Sequence, residues 1–163
     1  PMSARRQRQM CIRDRNRTDV NSMGFETKFN FNFDNLYFDL GYTYLQVDDL
    51  NDLDEMFYRP KHKIVFKTSL DQRLIKHSFL VKYQSDQVYQ DFLSDDYGFL
   101  GSEIRFPVNK LDSLMLADYV ALFKFDDMDL SLKVVNIFDV EYELIQDYPM
   151  PGRMISLNYE MKF

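Results

Sequence analysis

Long apolar runs are missing from this sequence, and several residue types are scarce. No stretch approaches the roughly 18 consecutive apolar residues that a membrane-spanning helix needs, so such a helix is excluded. A spanning β-barrel is not excluded, because its strands need only about 10 residues of alternating pattern. Trp is absent, and only five Gly and five Pro occur among 163 residues, while 15 Phe and 11 Tyr are present. This composition favours a strand-rich chain.

Catalytic motifs are also missing. The chain has only two histidines, His62 and His77, and neither lies at a usable spacing for a Ser, His and Asp constellation. There is no His-Glu-x-x-His motif and no phosphate-binding loop. We therefore expect no enzymatic activity and no cofactor, and we interpret both histidines as solvated or packed side chains of a barrel.

The first 15 residues differ in composition from the rest of the chain. They hold five of the 20 basic residues, one acid and the only cysteine. A basic nucleic-acid-binding arm and an Arg-rich transit peptide are two interpretations. The stretch "QMCIRDR" (9–15) instead matches the in-frame translation of the transposase mosaic-end adapter of sequencing libraries. We therefore expect residues 1–15 to be a non-native or disordered basic segment and exclude them from the fold.

Removing this segment makes the chain strongly acidic. The remaining 148 residues carry 15 basic and 25 acidic side chains, so the formal charge goes from −6 to −10. A nucleic-acid-binding surface needs a basic footprint, and nucleic acid is therefore not an expected partner. No cysteine remains after removal, which excludes disulfides and thiolate chemistry in this part of the chain.

Alternation of apolar and polar residues recurs along the rest of the sequence and predicts strands. In "GFETKFNFNFD", Phe25, Phe29, Phe31 and Phe33 share one side, and "DN" (34–35) then signals a tight turn. The predicted strands are 24–34, 36–44, 61–70, 75–83 with a possible extension to about Tyr89, 114–125, 128–138 and 153–163. A long connection, roughly Gln90 to Asp112, is expected to be a large functional loop.

The connections between the seven predicted strands alternate between short and long. In an up-and-down meander, all short turns then lie at one end of the sheet and all long loops at the other. This pattern is typical of an antiparallel transmembrane β-barrel of the bacterial outer membrane, with an apolar outer face in lipid and a polar lumen. A soluble lipid-binding barrel also alternates, with its apolar face turned inward, and remains open as an alternative.

The segment "VNIFDVEYELIQDYPMPGRMISLNYEMKF" (135–163) closely resembles the C-terminal end of TonB-dependent outer-membrane receptors. The resemblance rests on the order and spacing of an Asn-hydrophobic-Phe-Asp strand end, a following Tyr, a Pro-Gly-Arg and a final aromatic strand. Upstream, an Arg-Pro pair also fits. These residues are Asn136, Phe138, Asp139, Tyr142, Pro151, Gly152, Arg153, Arg59 and Pro60.

The resemblance implies a fold, a function and partners. Receptors of this family form barrels of about 22 strands around a plug, so residues 16–163 are expected to be a fragment with about the last seven strands. The implied function of the parent protein is TonB-dependent uptake of a scarce ligand such as a siderophore-iron complex or cobalamin, with a passive porin as alternative. The implied partners are this ligand, outer-membrane lipid, the energy-coupling protein acting through the plug, and the barrel-assembly machinery.

Three further sets of residues are candidates for function. The last strand resembles the signal that the barrel-assembly machinery recognises, through Ile155, Leu157, Tyr159, Met161 and Phe163. The long connection offers Phe92, Tyr97 and Phe99 as ligand-contacting aromatics. The acidic residues Asp48, Asp49, Asp52, Asp54 and Glu55 lack the ordered spacing and glycine of a calcium loop, so we interpret them as a solvated loop.

Overall fold

A computed structural model of the chain describes residues 20–49, 57–91, 94, 98–100 and 103–161. Within these ranges the secondary structure is β throughout, as the alternation predicts. In the described part of the chain, no helix is long and apolar enough to cross a membrane. The N-terminal segment 1–15, with its suspected adapter, lies outside the described residues.

Seven long strands form one antiparallel sheet. Its strand order is β1-β2-β3-β4-β9-β10-β11, so each long strand pairs with the next long strand in the sequence. The strands are β1 Val20–Phe33, β2 Leu36–Asp49, β3 His62–Asp71, β4 Ile75–Gln84, β5 Gln87–Gln90, β6 Gly98–Leu100, β7 Glu103–Arg105, β8 Val108–Leu111, β9 Leu114–Lys124, β10 Met128–Val135 and β11 Met154–Met161. The predicted meander of seven strands is confirmed, and the sheet is open, with β1 and β11 at its edges.

Tight turns join the long strands at one end of the sheet. Asp34 has a φ of 46°, the left-handed conformation that Asp adopts more readily than most residues. In the second turn, Gln72 N–H donates to the Ile75 carbonyl at 2.8 Å and Ile75 N–H donates back at 3.1 Å. In the third, Phe125 N–H donates to the Met128 carbonyl at 2.9 Å. The three predicted short connections are therefore hairpin turns.

The extension of the fourth strand to Tyr89 was wrong. Strand β4 ends at Gln84, and Ser85 turns the chain by exchanging hydrogen bonds with His62: its N–H donates to the His62 carbonyl and its Oγ accepts from the His62 N–H. The following strand β5 pairs with β8 in a separate two-stranded sheet, and β6 pairs with β7 in another. The connection between β4 and β9, most of which was predicted as a loop, thus contains four short strands.

The strand register separates two faces of the seven-stranded sheet. Residues directly opposite each other on neighbouring strands share a face. One such row runs Phe29, Leu40, Phe66, Val81, Ala117. The apolar face so defined carries Phe25, Phe29, Phe31, Phe33, Leu36, Phe38, Leu40, Tyr42, Tyr44, Ile64, Phe66, Phe79, Val81, Tyr83, Met115, Ala117, Tyr119, Ala121, Phe123, Leu130, Leu132, Val134, Ile155, Leu157 and Tyr159.

The opposite, polar face carries nearly all charged residues of the long strands. It includes Glu26, Lys28, Asp39, Lys63, Lys67, Asp71, Lys76, Lys82, Asp118, Lys124, Asp129, Lys133 and Glu160, together with Asn, Ser, Thr and Gln side chains. The segregation extends from the first strand to the last. A sheet of this size with one continuous apolar face must place that face against lipid or against a core.

The three long connections, at the other end of the sheet, are hydrogen-bonded to one another. Tyr58 N–H donates to the Val88 carbonyl at 2.8 Å, which joins the β2–β3 connection to strand β5. Gln87 Nε2 donates to the Leu144 carbonyl at 3.1 Å, which joins strand β5 to the β10–β11 connection. The Tyr58 and Tyr89 rings also stack, with centroids 6.1 Å apart. Each connection is therefore held in place by another.

Candidate functional site

Ion pairs cross the strands on the polar face. Lys28 Nζ lies 3.2 Å from Asp39 Oδ2, Lys82 Nζ lies 3.4 Å from Asp118 Oδ2, and Lys124 Nζ lies 3.4 Å from Asp71 Oδ2. Exposed pairs of this kind each contribute only about 0 to 1 kcal/mol. Their placement is more informative than their energy, because a surface with both charge signs and many amides suits an aqueous interior.

Aromatic rings cluster on the apolar face near the long connections. The Phe25 ring lies 5.5 Å from Tyr42 and 5.8 Å from Tyr44, and His62 lies 6.1 Å from Tyr42 and 5.3 Å from Tyr44, all between centroids. The Tyr42 hydroxyl and His62 Nδ1 are hydrogen-bonded at 2.9 Å. Amphipathic rings in such a band are typical of the boundary between membrane and water.

The second histidine is also packed against tyrosine. His77 Nδ1 and the Tyr119 hydroxyl are hydrogen-bonded at 2.7 Å, and the two rings are stacked with centroids 6.1 Å apart. Phe79 adds a third ring, 4.7 Å from Tyr119. On an apolar face this bond gives the imidazole and the phenol a polar partner, which removes most of the cost of taking them out of water. Both histidines thus have tyrosine partners, with His77 half-buried and His62 exposed.

Asn136 forms the centre of the β10–β11 connection. The residue is only 1% exposed and has a φ of 54°. Its side-chain Nδ2 donates to the Val140 carbonyl at 2.9 Å, and its Oδ1 accepts from the Val140 N–H at 3.0 Å. Its own N–H donates to Asp118 Oδ1 on strand β9 at 3.0 Å. These bonds attach the connection to the wall of the sheet.

Asp139 joins the start of this connection to its end. Its Oδ1 accepts from the Arg153 N–H at 2.6 Å, and its Oδ2 lies 3.3 Å from Arg153 Nη2. The hydrogen bond from the Arg153 backbone, followed by that from its side chain, lowers the pKa of Asp139 below its ordinary value. We call the set Asn136, Asp139, Gly152 and Arg153 the hairpin lock.

Gly152 leaves the space that the Asp139 carboxylate occupies. A Cβ added at Gly152 would lie 2.8 Å from Asp139 Oδ1, closer than real Cβ contacts. We expect Gly152→Ala to displace the carboxylate and break its bond to the Arg153 N–H. Hydrogen exchange of the Arg153 amide, measured on the complete protein in lipid, should become severalfold faster. Gly98→Ala is the matched control, since no atom lies within 4 Å of its added Cβ; equal effects of both substitutions would contradict the steric explanation.

The lowered pKa of Asp139 makes the hairpin lock sensitive to acid. Because the folded-state pKa lies below the ordinary value of 3.8, the ionised carboxylate contributes stability above that pH, and this contribution is lost as the pH falls through the folded-state pKa. We expect protection of the Arg153 amide to be constant from neutral pH to about pH 5 and to fall in more acidic solution. In Asp139→Asn this pH dependence should disappear; an unchanged profile would show that another group titrates.

The remaining residues of the predicted motif lie around the hairpin lock or beside it. Phe138 is exposed, Tyr142 accepts a backbone hydrogen bond from Met150 at 3.0 Å, and Pro151 precedes Gly152 at the end of the connection. Arg59 is exposed and Pro60 is buried, both directly after Tyr58 in the β2–β3 connection. The structure therefore brings Asn136, Asp139, Gly152 and Arg153 together and places the Arg-Pro pair in a different connection.

The predicted assembly and ligand residues are only partly described. Ile155, Leu157, Tyr159 and Met161 lie on the apolar face of edge strand β11, all more than half exposed, and Phe163 lies outside the described residues. Phe99 belongs to β6, whereas Phe92 and Tyr97 lie outside the described residues. Of the acidic cluster, Asp48 and Asp49 end strand β2, and Asp52, Asp54 and Glu55 lie outside the described residues.

Sequence reasoning missed the role of Asp118. Its Oδ2 lies 3.4 Å from Lys82 Nζ and its Oδ1 accepts from the Asn136 N–H, so Asp118 connects strands β4 and β9 with the last connection. The only sequence signal is an acid within an otherwise apolar strand, "LMLADYVALF", at a polar-face position. Such a residue needs partners, but the sequence does not show which ones.

Comparisons with known proteins agree with the architecture. Neither the protein-family models nor the curated proteins that were searched contain a match. Among solved structures, the chain is similar to the ferripyoverdine receptor of the Pseudomonas aeruginosa outer membrane, with 14% identity and a TM-score of 0.69. It is equally similar to the ferric-catecholate import receptor Fiu of E. coli K12, with 19% identity and a TM-score of 0.69. The fold of the seven-stranded sheet is that of part of an outer-membrane receptor β-barrel.

A third similar structure is the copper transporter OprC, with 18% identity and a TM-score of 0.67. Its name refers to copper, whereas the first two names refer to ferric chelates. The comparisons cover 86%, 88% and 88% of this chain but 19%, 21% and 23% of the three proteins. The chain thus spans about a fifth of the length of the receptors that it resembles. At these identities the likeness establishes the barrel fold, and the names are those of receptors and transporters.

Proposed function

We propose that residues 16–163 form the last seven strands of a TonB-dependent receptor in the bacterial outer membrane. The observation that carries this proposal is the continuous apolar face, which the register extends over all seven strands. Together with the likeness to outer-membrane receptors, it supports a placement with the apolar face in lipid and the polar face towards an aqueous interior.

The parent protein in this proposal imports a scarce ligand, such as a siderophore-iron complex, another metal chelate or cobalamin, without changing it chemically. The plug, outside this chain, would contact the energy-coupling protein. The exposed edge of β11, with its outward-facing Ile155, Leu157 and Tyr159, supports recognition by the barrel-assembly machinery and pairing with another strand, because an unpaired edge is not tolerated in hydrocarbon.

The test begins with the genomic DNA upstream of the codon for Asn16. We expect an open reading frame of several hundred residues with a signal peptide, a plug and further strands. The complete gene, expressed in a Gram-negative strain that lacks its own receptors, should then support uptake of radiolabelled ferric or cupric chelates only when the energy-coupling protein is present. Uptake of small solutes without energy coupling would instead identify a passive porin. A start codon with a ribosome site at residue 2 would overturn the proposal.

A further inference from the structure

A small cavity lies on the polar face where strands β3, β4 and β9 meet the β10–β11 connection. Its volume is about 340 Å³. Two cross-strand rows form its floor: Lys63, Gln84 and Leu114 in one, and Val65, Lys82 and Leu116 in the other. Ile64 and Tyr83 of the same strands also line the cavity, and Tyr142 and Leu144 from the β10–β11 connection complete the lining. Because Gln87 Nε2 holds the Leu144 carbonyl, this side of the cavity is fixed in place.

The charge of this cavity is opposite to that of the protein. Lys63 and Lys82 are its only charged lining residues in the described part of the chain, although the formal net charge is −6. Lys82 forms an ion pair with Asp118, with 3.4 Å between Lys82 Nζ and Asp118 Oδ2. Lys63 has no ion pair with any described residue and is exposed. Among the described residues, the Lys63 ammonium group beside these leucine side chains therefore has no counter-charge.

A second cavity, of about 630 Å³, lies on the other side of the same connection and has the opposite sign. Its charged lining residues are Asp112, Asp139, Glu141 and Glu143, and both cavities share Leu114 and Tyr142. We call the cavity lined by Lys63 and Lys82 the lysine cavity, and the one lined by these four acids the carboxylate cavity. An anion that approaches this part of the polar face is attracted by the lysine cavity and repelled by the carboxylate cavity, since the charges that line a cleft add up to its potential.

We propose that the lysine cavity binds an organic anion with an apolar or aromatic body. The cavity volume of about 340 Å³ is near the lower limit of small-molecule sites and is sufficient for one aromatic carboxylic acid. Lys63 would pair with the carboxylate or phenolate oxygen, and Leu114, Leu116 and Leu144 would contact the ring. The assignment of this anion as part of a transported ligand rests on the proposed function, whereas binding of the anion itself does not.

The experiment measures binding of radiolabelled salicylate to the complete protein in detergent by equilibrium dialysis, with salicylamide as the neutral probe of the same shape. We expect salicylate to bind more tightly than salicylamide. Lys63→Gln should weaken salicylate binding about tenfold, the size of one lost hydrogen bond to a charged group. Lys63→Arg should retain it, and Lys76→Gln, on the same face but outside the cavity, is the matched control.

Four outcomes decide the proposal. Equal binding of the two probes, or equal affinities in Lys63→Gln and Lys76→Gln, overturns it. Retained binding in Lys63→Arg with loss in Lys63→Gln supports it, because a folding defect at this position would affect both substitutions. Lys63-dependent salicylate binding in a protein that fails the uptake experiment supports the anion site and rejects the transport function, so the two proposals fail separately.

Discussion

Replacing Leu132 by arginine in the complete protein should destabilise the proposed membrane barrel by about 2 to 4 kcal/mol, because an arginine at the middle of a lipid-facing surface costs that much. Leu132 lies in the middle of β10 on the apolar face, between Ala121 of β9 and Leu157 of β11. Each 1.4 kcal/mol changes the folding equilibrium about tenfold. The folding equilibrium constant, measured by urea titration with phospholipid vesicles, should therefore fall by more than an order of magnitude.

Two control substitutions make this result specific for a lipid-facing surface. Ser131→Arg places the same side chain on the polar face, one residue away, and should have little effect. Met128→Arg lies on the apolar face at the end of the same strand, where the cost near the membrane boundary is about 0 to 1 kcal/mol. Equal costs at positions 128 and 132 would indicate a protein core in place of lipid, as in the soluble barrel alternative.

Asn136→Ala should cause the second large loss. The substitution leaves the Val140 N–H and carbonyl without the partners that a side chain of a 1% exposed residue supplies, at about 1 to 3 kcal/mol. It also places alanine at a φ of 54°, which costs roughly 1 to 2 kcal/mol for most residues with a Cβ but less for Asn, whose side chain bonds to the local backbone. We expect faster proteolysis of the β10–β11 connection and a lower free energy of unfolding.

Asn136→Gly separates the two contributions. Glycine adopts a positive φ without strain but cannot bond to Val140. The glycine variant should therefore be more stable than the alanine variant by roughly 1 to 2 kcal/mol and still less stable than the wild type. If alanine and glycine had equal effects, the backbone conformation at this position would carry no cost. If neither had an effect, the hairpin lock would not hold the connection.

The sheet was predictable from the sequence because its signal is local and repeated. Apolar and polar residues alternate from Phe25 to Phe33, over most of strand β1. In the turn that follows, Asp34 of the Asp34-Asn35 pair adopts the left-handed conformation. The end of β4 was not predictable in the same way. Val88 and Tyr89 continue the alternating pattern, but the Ser85 hydrogen bonds to His62 and the pairing of β5 with β8 depend on strands far apart in the sequence.

The sequence predicted the residues of the hairpin lock but not their contacts. Asn136, Asp139, Gly152 and Arg153 stand out as a motif, yet the motif does not reveal that Asn136 is the most buried side chain of the described residues or that Asp118 anchors it. The lysine cavity had no sequence signal, since Lys63 and Lys82 are 19 residues apart and look like any polar-face lysines. Both sites arise from register, which sequence periodicity alone does not determine.

The hydrogen bonds between the long connections affect how this surface can change in evolution or engineering. The β2–β3 connection is bonded to β5 through Tyr58, and β5 is bonded to the β10–β11 connection through Gln87. Replacing one connection alone would change one partner of the Tyr58–Val88 or the Gln87–Leu144 hydrogen bond and leave the other partner in place. We therefore expect the three connections to keep their conformation on another barrel only when they are exchanged as a set, so that they are inherited like one domain.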